Sequence, residues 1–188
     1  MRAIPSIMAA LLLLAATACS TVRTNYDFDP SVDFGAWRSY AWYPDEEPPT
    51  GNPRLDNPLV HERIEAAIDD TLALRGYKRV EGGDPDFYVN YHLSTEQKLD
   101  VQTMDRGYGA GYGRAWRGYG WGGVGWTETR VEQYDEGALI IDFLDFGSRK
   151  LAWRGSGRRR LARNPSPEKT TERVKAAVAE IIEQFPPK

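Results

Sequence analysis

The chain has 188 residues, 41% of them hydrophobic, and its 24 basic and 27 acidic side chains leave a formal net charge of −3. That length suits one domain with a real core, the balance of charge argues against a nucleic-acid partner, and a single cysteine excludes an internal disulfide.

Met1-Arg2 supplies a short positive region, and residues 7–18 run almost entirely through Ala, Leu, Met and Ile, so residues 1–18 read as a signal peptide. The apolar run is about a dozen residues, short of the roughly 20 that cross a ~30 Å hydrocarbon core as a helix. It ends in Ala16-Thr17-Ala18-Cys19-Ser20, which resembles the lipobox cut by lipoprotein signal peptidase, with Ala16 where Leu is usual. Cys19 is therefore the expected site of lipidation, which also removes a free thiol from an oxidising compartment. One acyl chain binds a membrane marginally and two or more hold it stably. By resemblance to other bacterial lipoproteins, Ser20 is not the Asp that commonly retains them in the inner membrane. An outer-membrane anchor facing the periplasm is expected.

Residues 19–25 form the expected tether, and residues 26–188 a single domain. Tyr26 to Asp29 and Trp37 to Trp42 alternate bulky and polar residues, which predicts strands, with Tyr40 and Trp42 on one face. Residues 44–53 are a Pro- and acid-rich loop. Asn57 then caps a helix with Pro58 at its first position. Val60, Ile64, Ala67, Ile68, Thr71 and Leu74 make its apolar side, and Gly76 stops it.

Tyr77 to Val80 predicts a short strand, and Phe87, Val89, Tyr91 and Leu93 alternate with Tyr88, Asn90, His92 and Ser94 in a longer one. Residues 127–134, 138–146 and 151–157 read as further strands, joined by turns at Asp135-Glu136-Gly137 and Gly147-Ser148-Arg149. The segment from Ala138 to Leu144 is apolar on both faces except at Asp142, which predicts a central strand covered twice. Ser166-Pro167 opens a second helix whose stripe is Val174, Ala177, Val178, Ile181, Ile182 and Phe185. The expected fold is α+β, a two-layer sandwich with two helices on one face of a mostly antiparallel sheet.

Tyr26-Asp27-Phe28-Asp29 with Asp33-Phe34 and Tyr40-Ala41-Trp42, then Asp84-Pro85-Asp86-Phe87, and 137–145 followed by Leu151-Ala152-Trp153-Arg154-Gly155, resemble the bacterial lipoproteins grouped as domain of unknown function 4136. The resemblance spans nearly all of the chain after the leader. It implies a periplasm-facing envelope lipoprotein and supplies no catalytic or binding residue.

Residues 106–126 form a Gly- and aromatic-rich loop inserted between strands, carrying Tyr108, Tyr112, Trp116, Tyr119, Trp121 and Trp126. Glycine frees the backbone and each ring offers a large face. Such a loop can stack on glycans, lie in a membrane interface, grip an envelope protein, or simply cover the open face of the sheet. Gly118-Tyr119-Gly120-Trp121-Gly122-Gly123 matches a dinucleotide fingerprint without the strand before it or the helix after it.

His61 and Glu65, one helical turn apart, lack the further ligands a metal needs and read as a solvated helix flank. His92 reads as a cross-strand residue without a partnering nucleophile. Asp27, Asp29 and Asp33 fit turns and caps, since Val32 and Arg38 occupy the Gly and Glu places of a calcium loop. Arg158, Arg159, Arg160 and Arg163 form a basic run that suits a strand end or anionic head groups. No cofactor, metal or catalytic residue is indicated. The reading is a lipid-anchored, non-enzymatic binding or structural module of the envelope, with an envelope hydrolase or an accessory subunit of a transport or assembly complex as alternatives.

Overall fold

The computed structural model describes residues 22–44, 49–106 and 126–187. Strand β1 (Arg23–Phe28) leads through a 3-10 turn at Phe34–Ala36 to β2 (Ser39–Trp42), helix α1 (Pro58–Leu74) and β3 (Lys78–Arg79). Then come β4 (Phe87–Arg106), β5 (Trp126–Asp145), β6 (Leu151–Arg160) and helix α2 (Pro167–Ile182). The caps fall where the sequence puts them. The Asn57 side chain accepts from the Leu59 N–H at 2.9 Å and Ser166 from the Lys169 N–H at 3.4 Å, while Gly76 ends α1 in the left-handed region at φ 89°.

The six strands form one sheet in the order β1-β6-β5-β4-β2-β3. It is mixed rather than mostly antiparallel. β1, β6, β5 and β4 pair antiparallel, but β2 runs parallel to both β4 and β3. The cause is connectivity: α1 lies between β2 and β3, and a crossover of that length returns the chain in the same direction. The expected α+β two-layer architecture stands, with both helices on one face.

Four local expectations are corrected. The tether does not reach residue 25, because β1 pairs with β6 from Arg23 onward, Arg23 facing Arg158. Asp135-Glu136-Gly137 is no turn. β5 runs straight through it, paired with Thr95, Glu96 and Gln97 of β4, because the β4–β5 hairpin zips without interruption from Phe87↔Asp145 to Arg106↔Trp126. Leu74 is 89% exposed and Leu72 is buried in its place. Leu74, seven residues after buried Ala67, stands at the edge of the stripe as the last residue of α1 and passes beyond the core, whereas Leu72 follows Ile68 by four and packs inward. Finally, β5 is central but covered on one side. Leu139, Ile141 and Phe143 are buried beneath the helices, while Ile140 and Leu144 on the other face are half-buried.

The core is richest where β4 begins and β5 ends. Phe185, just beyond α2, is fully buried, with ring centroids 4.7 Å from Phe143, 5.4 Å from Trp153 and 5.6 Å from Phe34. Such contacts add about 0.5–1.5 kcal/mol per pair to the burial of the rings themselves. The buried core residues of this cluster lie between Phe34 and Phe185, so the chain from Ser20 onward holds the whole folding unit. The helices run parallel. Lys175 reaches Asp70 at 3.4 Å, and one turn further on Arg75 donates to the Phe185 carbonyl, so α1 and α2 both start at the end of the sheet away from the aromatic cluster.

Candidate functional site

The helix-free face of the sheet brings polar side chains into register. Asn90, Asp142, Arg154 and Asp27 lie opposite one another across four strands, because even-numbered residues of β4 and β5 point away from the helices. Asp142 is the buried charged side chain among the described residues, at 4% exposure. Arg154 clamps it with two bonds, Nε to Oδ1 at 2.7 Å and Nη2 to Oδ2 at 2.6 Å. These bonds hold the guanidinium above its already high ordinary range.

His92 approaches the same carboxylate, with Nε2 3.5 Å from Oδ2. The arrangement is not that of a catalytic triad. Asp142 is oriented by Arg154, and Ser156 stands two strands from His92 in register, roughly 10 Å at about 4.8 Å per strand. The Ser156 hydroxyl instead donates to the Asn25 carbonyl at 3.4 Å. The cross-strand role expected for His92 agrees with this geometry.

The other singled-out residues serve the fold. His61 is not a solvated flank: its Nδ1 lies 2.7 Å from the hydroxyl of buried Tyr91, while Glu65 faces solvent. Asp29 accepts from the Ser31 hydroxyl at 2.7 Å and its N–H at 2.9 Å, bonds that lower its carboxyl below the ordinary value. Asp33 accepts from the Gly35 N–H at 3.0 Å and so caps the 3-10 turn, and Asp27 accepts from the Phe28 N–H. Among the described residues no group of three or more His, Cys, Asp or Glu side chains converges as a metal site would.

Asp86 and Asp69, which sequence reasoning left without individual roles, are local hubs. Asp86 Oδ2 accepts from the Arg38 N–H, the Ser39 N–H and the Ser39 hydroxyl at 2.7–2.9 Å. Burial works against its charge, but these donors prevail and hold the carboxyl below the ordinary value. Asp69 Oδ1 accepts from Tyr40 Oη at 2.7 Å and Trp42 Nε1 at 3.2 Å, and Oδ2 meets Arg79 at 2.9 Å. Burial foremost, then the bond to Asp69, pushes the Tyr40 hydroxyl well above the ordinary tyrosine range.

A groove opens at the other end of the helix-covered face, where both helices begin. Its floor is Leu93, Leu139, Gly137 and Gly157, its walls Val60 and Ile64 of α1 and Val174 and Ala177 of α2. The cavity is about 560 Å³. Arg63, Arg159 and Arg173, one each from α1, β6 and α2, line it and are half-buried. Of the basic run noted in the sequence, Arg159, Arg160 and Arg163 therefore join the groove, and Arg160 also pairs with Glu132 at 2.9 Å and lies over the Tyr134 ring. Val22, the first described residue, also lines it. Sequence reasoning missed Arg63 and Arg173; the available signal was that each immediately precedes an inward-facing residue, Ile64 and Val174.

Cys19, Tyr108, Tyr112, Trp116, Tyr119 and Trp121 lie outside the described residues, and Trp126 is described only as the first backbone position of β5. Among the described residues no helix is long and apolar enough to cross a membrane.

The sequence profile of the family described as Domain of unknown function (DUF4136) matches residues 24–187. The chain belongs to that family. In this DUF4136 chain the residues that carry the resemblance build the fold: Asp86 ties β4 to the start of β2, Trp153 is buried in the aromatic cluster, and Arg154 clamps Asp142. Gly155 gives the Trp153 and Ile181 side chains their space, since a Cβ there would fall 2.3 and 2.6 Å from them.

No curated protein matches the sequence. Among solved structures, the DUF4136 chain is similar to a PDZ domain protein from Parabacteroides distasonis, with 13% identity and a TM-score of 0.49 over 97% of this chain and 40% of that one. It thus spans less than half the length of that protein. It is also similar to a PelC dodecamer from Paraburkholderia phytofirmans (12% identity, TM-score 0.44, 86% and 95% of the two chains). A neuraminyllactose-binding hemagglutinin homolog from Helicobacter pylori resembles it as well (11% identity, TM-score 0.45, 82% and 85%).

Proposed function

We propose that this DUF4136 chain is an envelope lipoprotein, anchored through lipid on Cys19 to the periplasmic side of the outer membrane, whose folded domain is a non-enzymatic binding or structural module. The observation that carries the reading is where the fold begins. β1 starts at Arg23, four positions after Cys19, so only Ser20 to Val22 separate the expected lipid from the sheet. At most about 3.6 Å per residue, that reach keeps the domain against the membrane. Metabolic palmitate labelling tests the anchor: wild type labels and Cys19→Ala does not. Labelling that survives the substitution overturns it.

The non-catalytic half of the reading is supported by the placement of the polar side chains. Asp142 is engaged by Arg154, Asp86 by the β2 backbone and Asp69 by Tyr40 and Trp42. The aromatic positions Tyr108 to Trp121 then become the expected contact with envelope protein or glycan. Because Arg106 and Trp126 are direct cross-strand partners, residues 107–125 can be replaced by a two-residue turn without moving the sheet. That replacement is expected to abolish co-purification of crosslinked envelope components while leaving the melting temperature unchanged. Unchanged co-purification removes the loop from the proposal.

A further inference from the structure

The arginines around the groove are placed as a solvated basic surface would not be. Arg63, Arg159 and Arg173 are half-buried beside an apolar floor, and among the described residues neither Arg159 nor Arg173 forms an ion pair. Arg63 has Glu168 nearby, and Arg54 is engaged by Asp135 at 3.7 Å and by the Ala162 carbonyl. The helices add to the field, since both begin here and a helix N-terminus carries partial positive charge.

The floor has the opposite chemistry. Glycine there lets apolar side chains lie directly on the sheet: a Cβ on Gly157 would fall 2.9 Å from Ile181 Cδ1 and 3.1 Å from Val22 Cγ1, and one on Gly137 2.7 Å from Leu161 Cδ2. The cavity of about 560 Å³ is of the size that holds small apolar ligands, about 300–1,000 Å³. A soluble anion would satisfy the arginines and leave the floor wet, and a neutral hydrocarbon would do the reverse. Only an amphiphile with a negative head satisfies both. Val22 at the groove places its mouth within about 11 Å of Cys19, from three residues at most about 3.6 Å each.

We propose that the groove takes an acidic phospholipid from the membrane to which the chain is tied, one acyl chain lying on the Leu93–Leu139 floor and the phosphate meeting Arg63, Arg159 and Arg173. The inference rests on the lipoprotein reading only for the source of the lipid; the groove itself does not depend on lipidation. The test therefore uses the unlipidated chain from Ser20 to Lys188, which holds the folding unit. Its binding is measured by co-sedimentation with phosphatidylcholine vesicles, with and without phosphatidylglycerol, and by titration with monomeric short-chain phosphatidylglycerol.

The chain is expected to sediment with the phosphatidylglycerol vesicles and bind the monomeric lipid, and to stay in the supernatant when only neutral vesicles are present. Arg159→Gln with Arg173→Gln should weaken the vesicle binding about thirtyfold, the effect of two membrane-facing charges, while Arg149→Gln at the opposite end changes nothing. Ala177→Phe, or Thr170→Phe should the first fail to fold, should keep the electrostatic attraction to vesicles and lose the monomeric lipid by filling the groove. Equal binding to neutral vesicles, no effect of the paired arginine changes, or monomer binding that survives both groove-filling variants each overturns the proposal. So does inorganic phosphate competing as well as the lipid, which would make this a simple anion site, or displacement by an acidic peptide at equal concentration, which would make it a protein-docking surface. Failure of palmitate labelling would sink the anchor and leave these results standing, and the reverse holds too.

Discussion

The two ends of the helix-covered face use the same strands for opposite purposes. Toward the start of β4, odd-numbered positions carry Phe87, Phe143 and Trp153, and α2 drops Phe185 among them. With Phe34, Trp37 and Tyr77, six rings surround Phe185 and close that end. Toward the far end the same alternation places Leu93, Leu139, Gly137 and Gly157 under the helices, and arginines stand on the walls. Beyond the groove the core face continues without a roof along the β4–β5 hairpin, where Leu99, Val101 and Val131 are 66%, 58% and 57% exposed. One end supplies stability and the other keeps surface available. A sheet of this size can divide the two tasks because the burial that stabilises it need not be spread evenly along its strands.

That contrast can be broken by mutation. Phe185→Ala should have the largest effect, a loss of about 3–5 kcal/mol in urea unfolding, because it leaves a cavity touched by Phe34, Phe143 and Trp153. Arg154→Gln comes next at about 2–3 kcal/mol, since it strands the buried Asp142 carboxylate. A variant as stable as wild type would show that solvent reaches that face.

Glycine substitutions sharpen the comparison directly. Gly155→Ala should cost about 1–3 kcal/mol, because its Cβ meets the fully buried Trp153 indole and Ile181, which have nowhere to go. Gly137→Ala should cost less than about 1 kcal/mol, because it meets only the tip of half-buried Leu161, which can swing aside. Equal losses would mean that the groove is packed as tightly as the aromatic end.

The pH dependence of Asp86 follows from its depressed carboxyl. A lowered folded value means the unfolded chain takes up protons first. The stabilisation is therefore complete above the ordinary value of 3.8 and fades as pH falls through the lower folded value. Asp86→Ala should lose about 1 kcal/mol at neutral pH, a surface-screened hydrogen-bonding carboxylate, and its stability should then fall less steeply than wild type below that pH. The smallest effect is expected at the unroofed hairpin, where Leu99→Ser should change stability by no more than about 0.5 kcal/mol.

Much of this was legible in the chain. Asn57-Pro58 and Ser166-Pro167 announce helix starts because a cap is a local hydrogen bond. The alternation from Phe87 to Leu93 announces a strand and its inner face because side chains alternate at every residue. Asp135-Glu136-Gly137 was misread because turn-forming residues carry no information about a partner strand that holds them extended. His61 was misread because only the sheet supplies Tyr91 to receive it.

The sequence by itself determined the helix boundaries and the inward face of most elements, and it set the leader and the lipid-bearing Cys19 as expectations. All of these rest on spacing within a few residues, which local geometry converts into structure. Only the tertiary structure decided that β2 pairs parallel, that both helices begin at one end, and that Arg63, Arg159 and Arg173 meet there around an apolar floor. Those residues are far apart along the chain. Their meeting is fixed by how strands and helices pack over long range, and no local pattern encodes that.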